Sequence, residues 1–160
     1  MGFRYIPVAS KLHDKRSVSD MMAGHERALA ALGGTRLDGA VADGEDVAFT
    51  FVQTGGVESD VIRRYRSRMQ QGKTGPLLLI AHPAHNSLPA ALEILAQVQQ
   101  ENGTGRIYLL KGKDDAATLA EIAQTARCME ANRKLAEDRL GLIGASSDWL
   151  VASSHRPETV

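Results

Sequence analysis

Cysteine, aromatic residues and net charge are all scarce in this chain of 160 residues. With a single cysteine, Cys128, no internal disulfide can form, and no signal-peptide pattern opens the chain, so we expect a reducing, cytoplasmic location. The formal net charge is zero and only 4% of the residues are aromatic. Because phosphate binding requires concentrated lysine and arginine, this composition argues against nucleic acid as a partner.

Long apolar runs and several familiar motifs are also absent. No run approaches the roughly 20 apolar residues that cross a bilayer, so no membrane partner is expected. There is no GxGxxG fingerprint, P-loop or GxSxG nucleophile elbow, which leaves nucleotide binding and serine-hydrolase chemistry with weak support. Cys128 falls at an apolar position of a helical pattern and is interpreted as a core residue, not a nucleophile.

Strand-like and helix-like patterns alternate along the chain. Runs typical of strands occupy residues 3–8, 36–41, 47–53, 77–81, 106–110 and 139–144, and 149–153 is either an edge strand or a turn of helix. Apolar residues at spacings of three and four predict helices over 17–32, around 61–69, around 88–98 and over 115–138. This alternation predicts a single α/β domain over 1–160. Its doubly wound, mostly parallel sheet would form a flavodoxin-like or Rossmann-like three-layer sandwich.

Polar residues collect where predicted strands end. TGGVE (54–58), HPAHNS (82–87) and GASSD (144–148) each follow a strand, and ASKLHD (9–14) follows the first. Ligands of open parallel sheets bind beyond the carboxyl ends of the strands, so these segments are expected to share one rim. Helix-start N–H groups, hydroxyls and amides suit a polyhydroxylated or anionic ligand. The candidate ligand-binding residues are Thr54, Gly55, Gly56, His82, His85, Asn86, Ser87, Ser147 and Asp148.

Each junction also has a purely structural interpretation. The two glycines permit a tight turn, Asn86 or Ser87 can cap a helix, and 146–148 can close a turn. His82 and His85 lie three apart but precede the helix with Pro83 between them, so a shared metal is not favoured. Nothing in the spacing selects a Ser–His–Asp group. No catalytic or metal-binding residue is therefore assigned.

Three segments resemble the N-terminal region of L-fucose/L-arabinose isomerase-like proteins. They are TGGVE, LLLIAHPAHNSLPAALEIL (77–95) and RLGLIGASSDWLVAS (139–153), and the resemblance covers roughly residues 46–154. Its most specific parts are NSLPAALE (86–93) and SDWLVAS (147–153).

The resemblance implies an aldose–ketose isomerase. A divalent metal, commonly manganese, would polarise the sugar oxygens while a carboxylate moves a proton through an ene-diol. In that family these groups lie in later domains, so no cofactor and no catalysis are expected of this chain alone. Glu58 and Glu93 are interpreted as ordinary helix residues, Glu58 facing the positive end of a helix dipole.

On this resemblance the chain would frame a sugar site, often that of a neighbouring subunit. Its partners would be a small-molecule sugar and either further copies of itself or the catalytic domains. Two alternatives remain open: a stand-alone sugar or sugar-phosphate binding module, and a purely oligomerising domain that associates through Trp149 and the apolar segment around it.

Overall fold

The computed structural model of the protein describes residues 2–37, 49–73 and 75–139. Within these ranges the strands are β1 (Phe3–Val8), β2 (Gly34–Arg36), β3 (Phe49–Val52), β4 (Leu77–Ala81) and β5 (Gly105–Leu109). The helices are α1 (Lys15–Ala31), α2 (Glu58–Gln70), α3 (Ser87–Gln100) and α4 (Ala116–Glu137).

The five strands form one sheet in the order β2-β1-β3-β4-β5, and every neighbouring pair is parallel. One apolar cluster joins the sheet to α1 and α4, and a second joins it to α2 and α3. The predicted three-layer α/β sandwich is therefore confirmed, in the flavodoxin-like strand order. The chain adds β2 on one side of β1 and adds β3, β4 and β5 on the other side. This change of side leaves a crevice between the carboxyl ends of β1 and β3.

Strand β4 explains why the two clusters separate so cleanly. All five of its residues are buried. Because side chains alternate along a strand, Leu78 and Ile80 enter the cluster with α1 and α4, whereas Leu77 and Leu79 enter the cluster with α2 and α3. The continuous apolar run LLLIA is the pattern expected of a central parallel strand covered on both faces.

The passage from α1 to β2 is tighter than the sequence pattern indicates. A strand was predicted over 36–41, but β2 already begins at Gly34. The helix ends through Gly33, whose φ is 85°, and a Cβ atom on Gly34 would lie 2.7 Å from the carbonyl oxygen of Leu29. The two glycines thus stop the helix and lead straight into the strand. The predicted strands at 139–144 and 149–153 fall outside the described residues, apart from Arg139.

Two expectations for the core are wrong. Cys128, interpreted as a core residue, is exposed on α4, and Leu92, which the apolar spacing over 88–98 predicts to be buried, is 54% exposed on α3. Helix α3 instead buries Ser87, Ala91, Ile94 and Val98, together with Ala90. Leu92 follows the buried Ala91 by one residue, a step of about 100° around the helix, which turns its side chain away from the sheet. Among the described helices, none is both long enough and apolar enough to cross a membrane.

Candidate functional site

Three strand-to-helix junctions meet at the carboxyl edge of the sheet. The Ser10 N–H, after β1, donates to the Thr54 hydroxyl after β3 at 2.8 Å. The Gly55 N–H donates to the carbonyl oxygen of His85, after β4, at 2.9 Å. Segments 9–14, 54–58 and 82–87 are therefore tied to one another by direct hydrogen bonds. The fourth predicted segment, with Ser147 and Asp148, lies outside the described residues.

Three of the predicted site residues are buried beneath this edge, where their side chains form hydrogen bonds between the junctions. Thr54, His82 and Ser87 are exposed by 1%, 2% and 0%. The Ser87 hydroxyl accepts from the His82 N–H at 3.0 Å and donates to the Val52 carbonyl oxygen at 2.5 Å. It thereby links the end of β4 to the end of β3. The Thr54 hydroxyl, besides accepting from Ser10, donates to the Gly55 carbonyl oxygen at 3.1 Å.

Both ring nitrogens of His82 make hydrogen bonds. Its Nε2 lies 2.8 Å from the Gln53 carbonyl oxygen, so Nε2 carries the proton and donates. Its Nδ1 accepts from the Ala84 N–H at 3.3 Å. Burial lowers the pKa of His82, and the nearby His25 and His85 lower it further, while the bond to Gln53 opposes the shift. A neutral ring in one tautomer holds this turn together.

A second histidine packs against that ring from α1. The ring centroids of His25 and His82 are 5.6 Å apart. The Nε2 atom of His25 is buried without a hydrogen-bond partner, and burial lowers the pKa of His25. Both rings are neutral at neutral pH and form part of the structure beneath the site.

The residues that reach the surface come from an unusual stretch of backbone. His85 and Asn86 both adopt the left-handed region, with φ of 54° and 56°. Asn86 occupies the N-cap position of α3, yet its side chain makes no capping hydrogen bond. Both residues are exposed. The left-handed turn therefore presents an imidazole and an uncommitted amide at the rim.

These groups face a cleft of about 440 Å³. Its lining comprises His13, Gly55, Gly56, Glu58, His85, Asn86, Pro89, Ala90 and Glu93. Four of these were candidates from the sequence: Gly55, Gly56, His85 and Asn86. Sequence analysis missed His13 and assigned the two glutamates to ordinary helix positions. The α3 members sit at positions 89, 90 and 93, a helical spacing that places them on one face, so periodicity alone could have grouped them.

Glu58 stands at the start of α2, beside the cleft. Its carboxylate oxygen Oε1 accepts a hydrogen bond from the Gly56 N–H at 3.2 Å. The N-cap residue of this helix, Val57, supplies no side-chain cap. The chain's own carboxylate therefore lies at this helix start, where negative charge is favoured, and bonds to the N–H of the residue before the N-cap.

A metal ion has no evident place among these residues. Within the described ranges, no group of three or more histidine, cysteine, aspartate or glutamate side chains could hold one. The manganese implied by the family resemblance thus finds no donor set in this part of the chain, and no chemical step is assigned to it here.

No family model, curated protein or solved structure matches this chain.

Proposed function

We propose that this chain binds a small sugar in the cleft and forms the non-catalytic wall of an aldose–ketose isomerase-type site. The observation that carries the proposal is the position of the Asn86 amide, which is exposed, makes no capping hydrogen bond and lines the cleft at the carboxyl edge of a parallel sheet. A primary amide offers donors and an acceptor side by side, and each sugar hydroxyl is both donor and acceptor.

The other exposed groups of the lining support the same ligand class. His13 and His85 supply imidazole nitrogens, and Glu58 and Glu93 supply carboxylate oxygens. These groups make directional hydrogen bonds to hydroxyls, and a cleft of about 440 Å³ falls in the size range of small-molecule sites. The resemblance of residues 46–154 to L-fucose/L-arabinose isomerase-like proteins supports a free aldose as the ligand.

On this proposal the chain positions the sugar and does not transfer its proton. The divalent metal, commonly manganese, and the proton-transferring carboxylate belong to other domains or to a neighbouring copy. The chain incubated with manganese and L-fucose, L-arabinose or D-arabinose is then expected to form no ketose. Turnover above a metal-only blank would show that this assignment of roles is wrong.

Calorimetric titration with the same three sugars tests the binding itself. The decisive variant is Asn86→Gly, which removes the amide and keeps a residue that tolerates a left-handed backbone. Its matched control is Asn102→Gly, because Asn102 has a φ of 60° but lies beyond the far end of α3. We expect Asn86→Gly to weaken binding by about tenfold, the loss typical of one or two hydrogen bonds.

The control separates loss of binding from loss of structure. Asn102→Gly is expected to keep the wild-type affinity, and the two variants should melt at similar temperatures. If no sugar binds to the wild-type chain at millimolar concentration, the proposed function is rejected. If both variants weaken binding equally, Asn86 has no direct role.

A further inference from the structure

We propose that Glu58 is a specificity-determining residue that excludes phosphate esters and other anions from the cleft. This inference rests on the proposed sugar site and adds what that site rejects. It starts from the hydrogen bond between the Glu58 carboxylate and the Gly56 N–H.

The start of α2 is where an anion would otherwise bind. It follows β3 at the crevice of the sheet, the place where doubly wound folds hold phosphate groups. Gly56 has a φ of 77° and its backbone lines the cleft. Left-handed residues before a helix turn backbone N–H groups toward a common point, and the helix dipole adds positive potential there.

In this chain the Glu58 carboxylate lies at that position. The Gly56 N–H donates to Glu58, so an incoming phosphate oxygen meets a satisfied donor and a negative charge. Glu93 adds a second carboxylate to the lining, and none of the lining residues that the structure describes is a lysine or an arginine. An ester phosphate in this cleft would lose its water shell without gaining a cationic partner.

Carboxylates also stand at two other helix starts on this rim, where they act as N-caps. Asp14 accepts from the Ser17 N–H at the start of α1, and Asp115 accepts from the Lys111 and Thr118 N–H groups at the start of α4. At the start of α3, Pro89 has no N–H to offer. The described lining then offers a ligand the amide of Asn86, the imidazoles of His13 and His85 and the carboxylate oxygens, which suit hydroxyl groups.

The experiment compares D-arabinose, D-arabinose 5-phosphate and inorganic phosphate by calorimetric titration. Glu58→Gln removes the charge but keeps an acceptor for the Gly56 N–H, whereas Glu58→Ala removes both. The matched control is Asp60→Asn, because Asp60 is also in the first turn of α2 but pairs with Arg63 at 2.5 Å outside the lining. Melting curves of all three variants verify that each is folded.

We expect the wild-type chain to bind neither phosphate probe measurably. Glu58→Gln should bring binding of D-arabinose 5-phosphate into the measurable range, a gain of about tenfold or more over the wild-type detection limit, because it removes one unit charge a few ångströms away at a protein surface. Glu58→Ala should improve it further and acquire binding of inorganic phosphate, while Asp60→Asn stays at the wild-type level.

The outcomes separate this inference from the proposed function. Binding of phosphate by the wild-type chain, or equal gains in Glu58→Ala and Asp60→Asn, would overturn the role of Glu58. A gain of phosphate binding confined to the Glu58 variants supports it, even where D-arabinose itself fails to bind. In that last case the proposed sugar site alone is rejected.

Discussion

Gly55 and Asn86 pack so closely that a Cβ atom on Gly55 would lie 2.9 Å from the Cβ of Asn86. Real Cβ atoms do not approach a neighbour that closely, so any other residue at position 55 forces one of the two junctions to move. The bond from the Gly55 N–H to the His85 carbonyl oxygen holds the same two junctions together. Both contacts fix the distance between these two junctions, which form one wall of the cleft.

Gly55→Ala should therefore destabilise the fold and distort the cleft. We expect a loss of about 1–3 kcal/mol in the free energy of unfolding, the range for overpacking a tight contact. Gly112→Ala is the control, because nothing lies within 4 Å of a Cβ there. This substitution should be neutral or should stabilise the fold by roughly 0.4–1 kcal/mol, because alanine reduces the conformational entropy of the unfolded chain. Urea unfolding measures the change in the free energy of unfolding for both variants, and equal losses would contradict this prediction.

Ser87→Ala tests the link between β3 and β4. Removing the hydroxyl leaves the buried His82 N–H and Val52 carbonyl oxygen without their partner. The expected cost is about 1–3 kcal/mol, because unsatisfied buried groups keep their full desolvation penalty. Ser19→Ala, on the exposed side of α1, should change stability by less than about 0.5 kcal/mol. Comparable losses in the two variants would argue against the link.

The corrected core of α3 gives a third prediction. Leu92 is 54% exposed while Ile94 is 0% exposed, two residues further along the same helix. Ile94→Ala should cost about 2–5 kcal/mol, the usual range for emptying a buried aliphatic site. Leu92→Ala should cost less than about 1 kcal/mol, since most of its side chain remains in water. Chemical denaturation of the pair measures the difference, and a reversed order would contradict the packing described above.

Acid should destabilise the fold through His82 and His25. Burial lowers the pKa of both below the ordinary value of 6.5, so between the lowered and ordinary values the unfolded chain binds more protons. Stability then rises with pH across that window. It is lost as the pH falls below about 6.5, by at most about 1.4 kcal/mol per pH unit for each histidine.

The variant that isolates this effect is His25→Leu. The Nε2 atom of His25 has no partner to lose, and the site adjoins Phe51. We expect the slope of stability against pH below 6.5 to become shallower, with little change at neutral pH. Thermal melts over a series of buffers provide the measurement, and an unchanged slope would exclude His25 as a contributor.

The sheet and its rim could be predicted because they follow from local patterns. The run LLLIA, the glycine pairs and the helical spacings each carry their own signal, and chain order then gives the parallel sheet. Which of the candidate residues are buried and which line the cleft could not be predicted. His82 and His85 are three residues apart with the same chemistry, yet one ring is sealed beneath the cleft and the other opens on it. That difference depends on contacts with Gln53 and Ala84, which no local pattern reveals.

The same limit explains the treatment of Asn86. The sequence interpretation of Asn86 as a helix cap favours serine as its replacement, because both residues cap helices well. In the fold Asn86 makes no capping bond and has a φ of 56°, a backbone that asparagine and glycine tolerate better than serine does. Backbone geometry, not capping, decides which substitution leaves the structure intact.

The two walls of the cleft differ in how they can respond to ligands of different size. One wall, at Gly55 and Asn86, is fixed by the close packing of two junctions and by the bonds beneath them. The other is the segment that carries His13, where Leu12 is 95% exposed and the turn closes on Ser10. On the proposed function, adjustment to a longer or shorter ligand falls to this segment, and redesign of ligand length would begin with residues 11–13 and leave the opposite wall unchanged.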